Sequence, residues 1–128
     1  MVFSMSDPCP FCHPEDRPVV LRNDLALAFH DKYPVSPGHL LIIPIRHVAS
    51  WFDATTEEKQ AIDELVDQGK DLLDREYQPD GYNLGVNVGA AAGQTIFHLH
   101  VHLIPRFAGD TQNPRGGVRG VIPGKQGY

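Results

Sequence analysis

At 128 residues, with 41% hydrophobic and 21% charged side chains, the chain is long enough to bury one core and short for two ordinary domains. Its formal charge of −5 argues against a surface that binds nucleic acid non-specifically, and no apolar run reaches the ~18 residues of a membrane span. Met1 to Pro8 lacks the basic start and apolar core of a secretory signal, so the expected location is cytoplasmic.

The first feature along the chain is Cys9-Pro10-Phe11-Cys12, which holds both cysteines. Two thiols this close point to metal or redox chemistry in a reducing compartment. Three readings stand. A redox disulfide normally opens a helix after a strand, whereas Pro8, Pro10 and Pro14 make this segment a loop. A packed thiol pair needs no partner. Half of a tetrahedral zinc site needs two further ligands.

Val19 to Phe29 reads as two short strands broken by the turn signal Asn23-Asp24. Pro34 and Pro37 make Tyr33 to Gly38 a loop, and Leu40-Leu41-Ile42-Ile43 is apolar and branched enough for a buried strand. Ala61, Ile62, Leu65, Val66, Gly69, Leu72 and Leu73 recur at helical spacing, behind a capping box of Thr55 and Glu58. The helix is expected to end near Arg75 to Tyr77, before Pro79 and Gly81. Gly85 to Val88 and Phe97 to Pro105 read as two antiparallel strands around the turn Gly89 to Gly93. The pattern predicts an α+β domain, residues 1–108, built as an antiparallel meander with one long helix on one face. Residues 109–128 form a Gly/Arg-rich tail with little regular structure expected. The tail carries +2 and the rest −7.

His98, His100 and His102 alternate along the last of these strands. In an extended chain they share one face, roughly 6–7 Å apart, and Leu99, Val101 and Leu103 share the other. The row reads in three ways. It can be a solvated polar face. It can be a metal site, although the outer two backbones would then stand roughly 13 Å apart, which is awkward for one ion. Or one imidazole is a nucleophile whose neighbours handle protons and phosphate charge.

His98-Leu99-His100-Val101-His102-Leu103-Ile104, preceded by Gly93-Gln94 and followed by Pro105-Arg106, resembles the histidine triad (HIT) family of nucleotide hydrolases and transferases. Phe29-His30-Asp31, Pro34-Val35-Ser36-Pro37-Gly38-His39 and Ile43-Pro44-Ile45-Arg46-His47 extend the resemblance over most of residues 9–106. The resemblance implies that His100 attacks the α-phosphorus of an adenine nucleotide derivative, that His102 contacts the phosphate and protonates the leaving group, and that His98 orients His100. It places Asp31 on the ribose hydroxyls, Asn87 on the phosphate or leaving group, and Gln94 and Thr95 in the turn facing the α-phosphate. Histidine rather than glutamine at residue 102 favours a hydrolase over the uridylyltransferase branch.

The same resemblance implies a structural zinc held by Cys9, Cys12, His47 and His98, with His13 a less suitable fourth ligand, and no catalytic cofactor. It also implies a homodimer. The tail motif Arg115-Gly116-Gly117-Val118-Arg119 resembles family members that hydrolyse diadenosine polyphosphates. That tips the expected substrate toward dinucleoside polyphosphates, with the tail as a flap over the polyphosphate. A nucleoside phosphoramidate substrate, or a nucleotide-binding signalling role with incidental turnover, is the alternative. No nucleic acid or membrane partner is expected.

Overall fold

A computed structural model describes residues 9–13 and 17–127. The stretch behind the expectation of no secretory signal, residues 1–8, lies outside them. Five strands, β1 (Val19–Arg22), β2 (Ala26–His30), β3 (Leu40–Pro44), β4 (Gly81–Val86) and β5 (Val101–Arg106), form one antiparallel sheet with α1 (Thr56–Tyr77) against it. No helix among the described residues is long and apolar enough to cross a membrane.

Local chemistry sets the boundaries. The Asn23 side-chain carbonyl accepts from the amides of Leu25 (3.1 Å) and Ala26 (2.8 Å), and this Asx turn joins β1 to β2. Thr55 Oγ1 accepts from the Glu58 amide while the Glu58 carboxylate accepts from the Thr55 amide, as the capping box predicts. The Arg46 guanidinium also grips Glu58 with two bonds, at 2.8 and 3.0 Å, tying the start of α1 to the chain leaving β3. At the far end Gln78 takes the left-handed conformation (φ 48°) and closes α1 on Asp74.

The strand order is β1-β2-β3-β5-β4, so the meander predicted from sequence holds through β3 and in the β4–β5 pair, and breaks where β5 rather than β4 lies beside β3. A 22-residue helix spans about 33 Å and carries the chain past a neighbouring strand position. It delivers β4 to the edge, and β5 then turns back into the gap beside β3. The last two strands also differ in extent from the expectation. β4 begins at Gly81, and β5 begins only at Val101. Pro44, at the end of β3, has no N–H to extend the ladder. Its carbonyl instead accepts from the His98 ring, and the Leu99 amide turns to Val48. His98 to His100 therefore run alongside the sheet without joining it.

Two apolar layers flank the sheet. Ala28, Leu40, Ile42, Leu99, Val101 and Leu103 meet Ile62, Leu65 and Leu73 of α1. Gly69 lets the helix close on the sheet, since a Cβ there would stand 3.1 Å from Leu40 and 3.2 Å from Leu103. On the opposite face Phe11, Leu27, Phe29, Leu41 and Ile43 form a smaller cluster. The tail has more structure than its composition suggests. Gly117–Val121 is a 3-10 turn packed against β4. Gly116 (φ 89°) faces the Gln126 carbonyl, which any Cβ would strike.

Candidate active site and metal centre

The alternation read from sequence survives the late start of β5. Leu99, Val101 and Leu103 pack toward α1, while the imidazoles of His98, His100 and His102 lie on the opposite face. His98 and His100 are buried and His102 is half-buried. The rings of His100 and His102 stand 5.2 Å apart at 63°.

Hydrogen bonds to groups of fixed role determine where each ring carries its proton. A carbonyl only accepts, so His100 Nδ1–H donates to the His98 carbonyl (2.9 Å) and the lone pair of neutral His100 lies on Nε2. His98 Nε2–H donates likewise to the Pro44 carbonyl (2.8 Å), which leaves its lone pair on Nδ1. An amide only donates. The Val35 amide points at Nδ1 of His39 (3.2 Å), so neutral His39 carries its proton on Nε2, 2.9 Å from Nδ1 of His102. His102 accepts there and keeps its own proton on Nε2. His100 and His102 thus hold opposite tautomers. Burial keeps His39, His98 and His100 below the ordinary imidazole value of 6.5. Burial, reinforced by the neighbouring imidazoles of His100 and His39, brings His102 down to about 4. The rings are therefore neutral near pH 7.

His39 is a site residue to which the sequence reading gave no role. Its signal was available: an imidazole opening a wholly apolar strand must find a partner when buried. Asp31 completes the group. Its Oδ2 lies 3.6 Å from His39 Nε2, and its Oδ1 accepts from the Tyr33 amide (2.9 Å). Asp31, His39 and His102 have the donor types of a metal site, but the two facing nitrogens already share a proton.

The turn residues divide. Thr95 is exposed, and Asn87 is half-buried with no side-chain hydrogen bond among the described residues. Gln94 departs from the expectation of a phosphate-facing side chain. It is buried, its carbonyl accepts from the Gly89 amide (2.9 Å), and its amide donates to the carbonyls of Ala49 (2.6 Å) and Ile96 (3.1 Å). Every polar atom of this side chain serves to brace the loop, because the backbone inside that turn has no ladder partner.

Cys9, Cys12, His47 and His98 converge, with all four ligand atoms within 4.8 Å of one another. Cys9 Sγ lies 3.4 Å and Cys12 Sγ 3.5 Å from His98 Nδ1, and Cys12 Sγ lies 3.2 Å from His47 Nδ1. A tetrahedron with zinc–sulfur and zinc–nitrogen bonds of ordinary length has edges of roughly 3.5 Å, so this donor set fits such an ion. The lone pair of His98 Nδ1 points into the cluster. Burial, then the bond to Cys9, pushes the Cys12 thiol up to about 11, so an ion would have to displace its proton. His13 is exposed and outside the cluster.

Compared with known proteins, residues 14–109 match the family described as HIT domain. The chain is 36% identical over 97 residues to an AP-4-A phosphorylase of Mycobacterium tuberculosis, covering 75% of this chain and 50% of that protein. It is 36% identical over 92 residues to an asymmetrical bis(5'-nucleosyl)-tetraphosphatase of Schizosaccharomyces pombe, covering 72% and 50%. Among solved structures, a Zn-bound histidine triad family protein from Mycobacterium smegmatis superposes with a TM-score of 0.73 at 30% identity, over 82% of this chain and 79% of that one. The chain spans from half to three quarters of the length of the curated relatives it matches.

Proposed function

The chain belongs to the HIT domain family, and from that premise we propose that it is a nucleotidyl hydrolase working through a covalent intermediate on His100. The observation that carries this reading is the pair of opposite tautomers on adjacent rings. His100 Nε2 offers a lone pair, and His102 Nε2 offers an N–H. His100 attacks the α-phosphorus of an adenine nucleotide derivative, the bond to the leaving oxygen breaks, and that oxygen departs as an anion steadied by a hydrogen bond from His102 Nε2–H. The covalent link is then a phosphorus–nitrogen bond to His100. Water attacks the phosphorus, and its extra proton leaves to solvent. The phosphorus–nitrogen bond breaks, releasing nucleoside monophosphate and restoring neutral His100.

The other residues take roles from their places. Asp31 keeps Oδ2 free of strong bonds and would accept from the ribose hydroxyls. Asn87 and Thr95 flank the turn where the α-phosphate would lie, and Gln94 holds that turn in shape. Zinc on Cys9, Cys12, His47 and His98 would be structural, fixing the ring and tautomer of His98 beside the nucleophile. The protein would work in the cytoplasm as a homodimer, with a second copy covering the edge strand β4 and its exposed Leu84.

Dinucleoside polyphosphates are the favoured substrates, supported by the relatives named for AP-4-A and bis(5'-nucleosyl)-tetraphosphate. The test is rapid quenching with a diadenosine polyphosphate and with an adenosine phosphoramidate, followed by mass analysis. A transient adenylyl adduct on His100 is expected, formed faster with the polyphosphate. Turnover without an adduct on any histidine removes the mechanism. Preference for the phosphoramidate changes the substrate class.

A further inference from the structure

We infer that Phe11, the apolar residue between the two thiols, is the positioning residue that sets the orientation of the His100 ring. The hydrogen bond from Nδ1 to the His98 carbonyl fixes one atom of that ring and leaves it free to swing about that point. Two rings remove this freedom. The His102 ring stands 5.2 Å away at 63°, and the Phe11 ring meets the His100 ring in a T-shaped arrangement, 5.2 Å away at 75°. Phe11 also meets the His98 ring, at 6.2 Å and 74°. One side chain therefore bears on both imidazoles that flank the carbonyl bond.

Phe11 is itself held from three directions. Phe29 lies beneath it at 5.4 Å, and the Arg17 guanidinium lies over its ring at 5.4 Å. Its chain neighbours Cys9 and Cys12 close a turn through the Cys12 amide and meet His98 and His47. The wedge and the metal ligands share one short loop, so a change at the thiols reaches His100 without crossing the sheet. Leucine at residue 11 would occupy similar apolar space but present no aromatic ring to His100.

The inference rests on His100 being the nucleophile. Its test compares Phe11→Leu with Phe11→Tyr, which keeps the ring. Phe11→Leu should retain zinc and hold KM within about twofold, while kcat falls about ten- to a hundredfold, the scale set by a small misplacement of a reacting group. Phe11→Tyr should stay within about threefold of wild-type kcat. Wild-type kcat in zinc-loaded Phe11→Leu overturns the inference. So does an equal fall in both variants, or loss of zinc from both, since residue 11 then acts only in packing. A second readout needs no turnover: the His100 ring-proton resonances should lose the ring-current contribution of residue 11 in Phe11→Leu and keep it in Phe11→Tyr. An unmoved resonance overturns the inference. Absence of turnover in the wild-type chain overturns the proposed function, and the resonance alone then decides the role of Phe11.

Discussion

His39 donates from Nε2 to Nδ1 of His102 across 2.9 Å, and so keeps the His102 proton on the nitrogen that faces away from the protein's own bonds. The direction originates in the backbone, because the Val35 amide occupies the other nitrogen of His39. His39→Ala should therefore free the His102 ring to turn and weaken its hydrogen bond to the leaving group. A fall in kcat of about ten- to a hundredfold is expected with an adenosine phosphoramidate, whose amine leaves only once it has gained a proton. With a dinucleoside polyphosphate, whose phosphate oxygen leaves as an anion, the fall should be several-fold smaller. Equal falls on both substrates would show that His39 does not act through His102.

His100→Gly should lower kcat by at least ~10³-fold, as expected when a nucleophile is lost. Binding of AMP, followed by calorimetry, should change little. Added imidazole should restore part of the turnover by entering the vacated space. Near-normal kcat without imidazole would assign the chemistry elsewhere.

Cys12→Ser should abolish stoichiometric zinc and lower stability to urea by at least about 2 kcal/mol, because an ion bound only by the folded chain stabilises it by mass action. Metal analysis with urea unfolding checks this. A variant that lacks zinc yet keeps the wild-type midpoint would show that the cluster contributes nothing to folding.

Acid should destabilise the fold through its buried imidazoles. His102 has its ordinary value of 6.5 when unfolded and about 4 when folded, with burial the main cause. Below pH 6.5 the unfolded chain takes up a proton that the native state refuses until about pH 4, so stability present above 6.5 is lost across that window. Burial moves His39 in the same direction. The urea midpoint should fall between pH 7 and pH 5, and His102→Gln should reduce the slope. A midpoint flat over that range would contradict this account.

Gln94→Leu should cost about 2–3 kcal/mol of stability, because it leaves the Gly89 amide and the carbonyls of Ala49 and Ile96 without their partner. If Gln94 instead contacted phosphate directly, the same change would raise KM and leave the unfolding midpoint in place. Parallel unfolding and kinetic measurements separate the two.

The helix was legible to the residue at its start because Thr55 and Glu58 make a reciprocal cap that depends only on neighbours in sequence. The side taken by each histidine was legible for the same reason, since alternation is a local property. The insertion of β5 between β3 and β4 was not, because strand order depends on where a long crossover lands. Nor was the late start of β5, which follows from Pro44 meeting His98 across 54 positions of chain. The family resemblance gives Asp31 a role and His39 none, although it is His39 that touches His102. Gln94 illustrates the converse: a polar residue beside a glycine turn looks like a ligand contact until its bonds to Ala49 and Ile96 are seen.

The placement of β5 also bears on the order in which the molecule comes into being. β5 is the last of the five described strands to be synthesised, yet it occupies the slot between β3 and β4. Until it enters, β3 and β4 have no common partner, and neither His39 nor Gly85 has His102 beside it. A nascent chain can acquire its helix and its first hairpin and still have no site at all. Nucleotide turnover would then report that the last long-range pairing has closed, which makes it a sensitive assay for completed folding in any destabilised variant.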